Sequence, residues 1–197
     1  FEIDYSNFED KVLHILNNIE DTQKKVDDNR KMFLEYNEKN HLLELEKTFK
    51  INIITQNIDN LHEKAGSSSI IHMHGELNKA RCIMNDNHVF DWFEDLKDVD
   101  KCPECGSQMR PHIVWFGEMP LQMDEIHDLA EQSALFVSIG TSGEVYPAAG
   151  FVTMFKDMRK PTVELNLEPS RNQDQFDFAI HKPATVAVEE FTKLLLK

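Results

Sequence analysis

Glycine and proline are scarce in this chain and unevenly placed. Its 197 residues hold seven of each, the first glycine is Gly66, and the first proline is Pro103. Residues 1–65 therefore lack both strong chain breakers, and a helical N-terminal region is predicted over residues 1–54. Cysteine is scarcer still. Three of them, an odd number, argue against a disulfide scaffold and suit a reducing compartment, so a cytoplasmic setting is expected. No apolar run approaches the ~20 residues that cross a bilayer. No basic start leads into an apolar stretch and a small-residue cleavage site, so no secretory leader is expected. Basic residues are also few: 21 Lys and Arg stand against 35 Asp and Glu, a net charge of −14. Such a chain grips neither a phosphate backbone nor an anionic membrane, and neither partner is expected. The chain opens on Phe1 and not on Met, so an upstream segment is expected in the natural protein.

What remains is ordinary globular material, 41% apolar and 28% charged, long enough for one large domain with a small insert. Phe8, Val12, Ile15, Leu16 and Ile19 recur at helical spacing, as do apolar residues around Met32, Phe33 and Tyr36 and around Leu42, Leu43 and Leu45. The β-branched run Ile51-Asn-Ile-Ile-Thr55 then reads as a buried strand. From there the signals alternate. Strands are predicted at Ile70–His72, Ile113–Phe116, Ala134–Ile139 and Thr162–Leu167. Helices are predicted over Met123–Gln132, after Pro147, and from about Val186. Alternation of this kind specifies an α/β fold, a parallel sheet covered by helices. Residues 79–112 break the rhythm: they are polar, hold all three cysteines and read as an insert between residues 55–78 and 113–197.

Four places carry candidate chemistry. Thr55-Gln-Asn-Ile-Asp59 follows the first strand, and ligands of open α/β sheets bind beyond the carboxyl ends of strands. Gln56, Asn57 and Asp59 offer donors and acceptors for ribose hydroxyls and a carboxamide; the alternative is a turn with Asn57 or Asp59 capping a helix. In His72-Met-His-Gly75, strand alternation puts both histidines on one face, a spacing that also suits a metal. A histidine is the natural general base near neutral pH, although a hydrogen-bonded structural pair is the commoner outcome. Gly140-Thr-Ser-Gly143 ends a strand with two glycines and two hydroxyls, which fits a sugar or phosphate contact or simply a tight turn. Cys102-Pro-Glu-Cys105 has the spacing of a zinc knuckle, with Cys82 upstream. The position that would complete a second pair holds Asn85, and Asp86, His88 or a water is left to supply the fourth ligand.

Together these segments resemble one family. Thr55-Gln-Asn-Ile-Asp-Asn-Leu-His-Glu-Lys-Ala-Gly66, His72-Met-His-Gly75, Arg110-Pro-His-Ile-Val-Trp-Phe-Gly-Glu-Met-Pro120, Gly140-Thr-Ser142 with Val145-Tyr-Pro-Ala148, and Glu164-Leu-Asn-Leu-Glu-Pro-Ser170 are similar to sirtuins, above all to the bacterial CobB-type branch. Five ordered motifs from about Thr55 to the C-terminus make the resemblance far more specific than any one of them.

The resemblance implies a Rossmann-like parallel sheet with helices on both faces and a small zinc-ribbon-like insert. It implies an NAD-dependent protein-lysine deacylase, a deacetylase or desuccinylase that forms nicotinamide and O-acyl-ADP-ribose from acylated lysines of proteins. On that carry-over His74 is the general base. Gln56, Asn57, Ile58 and Asp59 hold the nicotinamide end of NAD, and Gly140, Thr141, Ser142, Asn166, Leu167, Glu168 and Ala184 contact the rest of the cofactor. The loop of Val114, Phe116, Gly117 and Glu118 pairs with the substrate peptide as an added strand. Cys82, Cys102 and Cys105 hold zinc, and His72 takes a structural role.

Two departures qualify this. Sirtuins begin with a strand and a Gly-Ala-Gly loop that cradles the pyrophosphate, and residues 1–54 contain no glycine. The chain is therefore expected to start after that unit, or to lack it, and to bind NAD weakly. A Tyr-x-x-Arg motif associated with succinyl-lysine falls near Val26 and Asn29, which cannot form the bidentate contact of an arginine, so acetyl-lysine is expected to be preferred. The rival readings are a non-catalytic sirtuin domain that binds acyl-peptide or ADP-ribose, and a metal-dependent hydrolase using His72 and His74.

Overall fold

The computed structural model describes residues 41–197. The amphipathic segments around Phe8–Ile19 and Met32–Tyr36, and Val26 and Asn29 with them, lie outside the described residues.

The described chain begins with α1 (His41–Glu46) and β1 (Ile53–Thr55), followed by a single helical turn, α2 (Leu61–Lys64), and β2 (Ile70–His72). β1 and β2 pair in parallel with Ile53 opposite Ile70 and Thr55 opposite His72. A second parallel sheet comes later: β6 (Phe136–Ile139), β7 (Thr162–Asn166) and β8 (Phe178–His181), ordered β6-β7-β8. Between strands run α3 (Met123–Gln132), α4 (Phe151–Asp157) and, at the end, α5 (Ala184–Leu195).

Helices cover both faces of these strands, and the period of two shows why. In β6, Phe136 packs with Ile71, Met73, Ile126 of α3 and Phe151 of α4. Its neighbour Val137 points the other way, onto the cluster of Val163, Leu165, Ile180 and the α5 residues Ala187, Val188 and Phe191. Each fully buried large apolar side chain in these clusters contributes about 1.5–3 kcal/mol. Phe136 also stacks on Phe155 at 5.0 Å between ring centroids.

The remaining strands form a separate antiparallel sheet, ordered β4-β3-β5, from β3 (Gly75–Cys82), β4 (Val89–Asp91) and β5 (Met109–Ile113). Its core is Ala80, Cys82, Cys102 and Met109 with Phe90, Trp92 and Leu96 against them. β3 starts at Gly75, so the antiparallel sheet reaches upstream of residue 79.

Two local expectations are corrected. β5 ends at Ile113, where a strand was predicted to begin. Val114 leaves the ladder to donate its N–H to the His74 carbonyl at 2.9 Å, and the chain then turns back through Glu118, whose N–H bonds to Trp115 O at 3.0 Å. The histidine pair does not share a strand face, because β2 stops at His72 and His74 sits in the turn beyond it.

That turn demands its glycine. Gly75 has φ +86°, and a Cβ there would meet the His112 carbonyl oxygen at 2.0 Å. The obstacle is backbone, which cannot swing aside. Gly75→Ala is expected to lower stability by at least roughly 1–3 kcal/mol from backbone strain alone. A urea midpoint equal to that of the parent would show that β3 and β5 can move apart.

Candidate active site and metal cluster

The carboxyl ends of β1, β6 and β7 lie along one edge and are stitched together by side chains. Gln56, just past β1, donates Nε2–H to Thr141 Oγ1 at 3.4 Å. Asn166, ending β7, donates Nδ2–H to the Thr141 carbonyl at 2.8 Å. Its Oδ1 accepts the Leu167 N–H at 3.1 Å. Gly140 has φ +64° with open space where a side chain would stand. Ser142, Leu167 and Glu168 are exposed beside it, and Ala184 opens α5 after β8. Asp59 accepts the Leu61 N–H on Oδ1 at 3.0 Å just before α2, whose N-cap is Asn60 and not the expected Asn57 or Asp59, while Ile58 is fixed by accepting the Leu77 N–H at 2.8 Å.

The two histidines divide their work. His72 is buried, with Nδ1 at 3.2 Å from the Asn57 carbonyl and Nε2 at 2.7 Å from Glu63 Oε1. Both ring nitrogens are occupied by these neighbours, so neither is open to a metal or a substrate. His74 is different. Its Nδ1–H donates to the Gln56 carbonyl at 3.1 Å, which fixes the tautomer and directs the Nε2 lone pair away. Among the described residues Nε2 has no hydrogen-bond partner. The pair does not form a metal site, because the one group of close metal-binding side chains among the described residues contains neither.

That group is Cys82, His88, Cys102 and Cys105, whose donor atoms all lie within 4.8 Å of one another. Cys82 and Cys105 sulfurs are 3.5 Å apart, and Cys102 Sγ is 3.4 Å from His88 Nδ1. Donors around a tetrahedral zinc with bonds of about 2.3 Å stand about 3.8 Å apart, so the cluster fits a zinc ion with small outward adjustments. Hydrogen bonds from the Ser107 side chain and backbone hold the Cys105 thiol down to about 6, which favours the thiolate that a metal needs. Burial pushes the Cys102 thiol up.

The segment Val114–Glu118 is a braced turn. Arg110 clasps the Glu118 carboxylate with both terminal nitrogens, at 2.6 and 3.0 Å. Arg81 approaches at 3.4 Å and the Trp115 N–H donates at 2.9 Å. Arg110 also lies 3.7 Å over the Trp115 ring. Phe116 stands at the tip, fully exposed. Glu118 is therefore committed internally.

Residues 8–147 match the Sir2 family. The chain belongs to that family. Its match begins well upstream of Thr55, where the recognisable motifs start. The chain is 52% identical over 157 residues to an NAD-dependent protein deacylase, SIR2rp3, of Leishmania major, covering 78% of this chain and 64% of that protein. It is 52% identical over 147 residues to an NAD-dependent protein deacylase of Escherichia coli strain K12, covering 74% of this chain and 52% of that protein. The chain thus spans between about half and two thirds of these curated relatives. Among solved structures, a Sir2 homologue in complex with NAD aligns with TM-score 0.68 and 31% identity over 82% of this chain and 63% of that one. A Sir2–p53 peptide–NAD⁺ complex aligns with TM-score 0.65 and 31% identity over 79% and 66%. The Rossmann-like α/β fold is that of these Sir2 neighbours.

The ordered motifs include Gln56, Thr141 and Asn166, which the structure brings together, but not what braces the turn at Glu118. Arg81 and Arg110 carry no signal as partners of Glu118, since the pairing spans different strands. His88 had a trace in the sequence, three residues beyond Asn85, but a histidine at that spacing is not distinctive. The brace has a pH signature. Hydrogen bonds from Arg110, then from the Trp115 N–H, bring the Glu118 carboxyl from its ordinary 4.5 to about 2. A depressed carboxyl stabilises fully above its unfolded value and loses that contribution as pH falls, here between about 4.5 and 2. Trp115 fluorescence, with a Trp115→Phe protein subtracted to remove Trp92, is expected to change across that window and to lose the change in Glu118→Gln. Equal acid responses in both proteins would show that the turn does not depend on the carboxylate.

Proposed function

We propose that this chain carries the catalytic edge of an NAD-dependent protein-lysine deacylase, with His74 as general base. The observation that carries the proposal is the imidazole of His74, whose Nδ1–H is anchored on the Gln56 carbonyl while Nε2 remains free beside the edge formed by Gln56, Thr141 and Asn166. NAD, when bound, supplies the ribose carbon to which the acyl oxygen of the substrate lysine transfers as nicotinamide leaves. His74 Nε2 is suited to take the proton of a ribose hydroxyl in that transfer. Gln56 and Asn57 orient the nicotinamide end with Asp59, and Gly140 leaves room for the cofactor to approach the protein backbone. The remaining assigned contacts, Ile58, Ser142, Leu167, Glu168 and Ala184, follow the same edge.

The acyl-peptide is proposed to lie along Val114, Phe116 and Gly117, with Glu118 acting through Arg110 to hold the turn and not as a peptide ligand. This reading gains support from structural neighbours that are complexes with a p53 peptide and with a propionylated peptide. Zinc at Cys82, Cys102 and Cys105 would fix the insert, since a closed four-ligand site leaves no position for substrate. No helix among the described residues is long and apolar enough to cross a membrane, and a cytoplasmic setting is proposed.

Nicotinamide release from NAD, with and without an acetyl-lysine peptide, tests the function. Peptide-dependent release is expected, and His74→Ala should reduce it roughly 10²–10⁴-fold with the fold intact. Retained turnover in His74→Ala, with His72→Ala inactive, would reverse the assignment. Peptide binding without any release would leave a binding domain in place of an enzyme.

A further inference from the structure

The metal cluster of the insert is built from one Cys-x-x-Cys pair, Cys102 and Cys105, and from Cys82, which has no cysteine three residues further on. Asn85 stands there. An amide is a poor ligand for a thiolate-rich zinc site, yet the Asn85 side chain is fully used. Its Oδ1 accepts the Asn87 N–H at 3.0 Å, and its amide nitrogen lies 3.0 Å from His88 Nε2. The backbone closes the same turn, with the His88 N–H donating to the Asn85 carbonyl at 3.0 Å and the Cys82 N–H to the His88 carbonyl at 3.0 Å. The imidazole is thereby gripped at its far nitrogen while Nδ1 faces Cys102 Sγ at 3.4 Å.

We infer that Asn85 is a positioning residue that replaces a ligand by aiming one: it turns His88 so that Nδ1 completes a three-sulfur, one-nitrogen metal site. Ligation by Nδ1 needs that nitrogen's lone pair, so the ring proton resides on Nε2 and must meet an acceptor. Asn85 supplies it by turning its amide through half a rotation to present Oδ1, which releases the Asn87 N–H to solvent in an exposed turn. The amide can satisfy the His88 N–H or the Asn87 N–H with oxygen, but its single oxygen is poorly placed for both. A carboxylate at this position has two oxygens and serves both donors. This inference rests on the zinc reading of the cluster.

The test uses the whole reduced chain, with Co²⁺ as spectroscopic probe and zinc affinity measured by competition against a chromogenic chelator. The parent is expected to take up one Co²⁺ with the spectrum of a three-thiolate tetrahedral site. His88→Cys should raise the thiolate charge-transfer intensity by about a third, four thiolates replacing three. Asn85→Leu should keep the parent spectrum and weaken zinc about 10–100-fold. Asn85→Asp should keep the same spectrum and bind zinc at least as tightly as the parent. If Asn85→Asp is as weak as Asn85→Leu, or if Asn85→Leu binds like the parent, Asn85 has no such role. An unchanged charge-transfer intensity in His88→Cys removes His88 from the ligand set. A parent chain that takes up no Co²⁺ overturns the zinc reading itself and this inference with it, a result separable from the others.

Discussion

The backbone of Met73 and His74 ties together pieces of chain that are otherwise far apart in sequence. Met73 donates its N–H to the Thr55 carbonyl at 3.1 Å and accepts the Leu121 N–H at 2.8 Å. His74 accepts the Val114 N–H at 2.9 Å and reaches back with its ring to the Gln56 carbonyl at 3.1 Å. The Met73 side chain, completely buried, fills the space between β2, α3 and α4. Each such hydrogen bond contributes about 0.5–1.5 kcal/mol net, but leaving a buried one unmade costs about 1–3 kcal/mol. The loop after β1, the turn before β3 and the braced turn after β5 therefore hold their positions together or not at all. The free nitrogen of His74 is placed by that shared constraint.

Carboxylates do comparable work at two other places, one of them buried. Glu164, in the middle of β7 and 1% exposed, gives its carboxylate to the Ser170 hydroxyl and to His181 Nε2, the latter at 2.8 Å. The residues between them, Leu167 to Pro169, are thus tethered to the strand on the side where Asn166 reaches Thr141. At the second place, two arginines converge on Glu118. Glu118 is only partly buried, and the two-pronged clasp by Arg110 is the geometry that holds a carboxylate most specifically. In a chain with so many more acids than bases, placing two arginines on one carboxylate points to a demand for rigidity in that turn.

The pattern of apolar residues made much of this fold legible. The helix Met123–Gln132 and the strand at Ile70–His72 stand where periodicity put them, and β6, β7 and α5 differ by one or two residues at their ends. β8 escaped notice because Phe178-Ala-Ile-His181 is short and mostly exposed, with only Ile180 deeply buried. The run Ile113–Phe116 misled for the opposite reason. Its apolar content signals a strand, but Trp115 is used to cover Arg110 and Phe116 is left in solvent. Gln56, Thr141 and Asn166 come together, as do the three cysteines, and each of these sits in a motif that local sequence displays. The roles of Arg81, Arg110 and Glu164 depend on pairing across strands, which one sequence does not display.

The parallel strands among the described residues form two sets, and the link between them is slight. Within each set the ladder hydrogen bonds are continuous, from Ile53 opposite Ile70 in one to Asn166 opposite His181 in the other. Between β1 and β6 the strand edge is crossed, among the described residues, by the side-chain bond from Gln56 to Thr141, at 3.4 Å a long one. Apolar packing of Ile54, Ile71 and Phe136 around Met73 supplies the rest of the connection. That arrangement makes the edge compliant where ligands of open α/β sheets bind. On the proposed reading, a dinucleotide lying along it would bond to Gln56 on one set and to Thr141 and Asn166 on the other. Binding energy would then go partly into fixing the two sets against each other, which couples cofactor affinity to the order of this edge. The anchoring of His74 on the Gln56 carbonyl ties the proposed base to the residue that makes this bond, so the proposed proton acceptor and the proposed cofactor contact would be placed together.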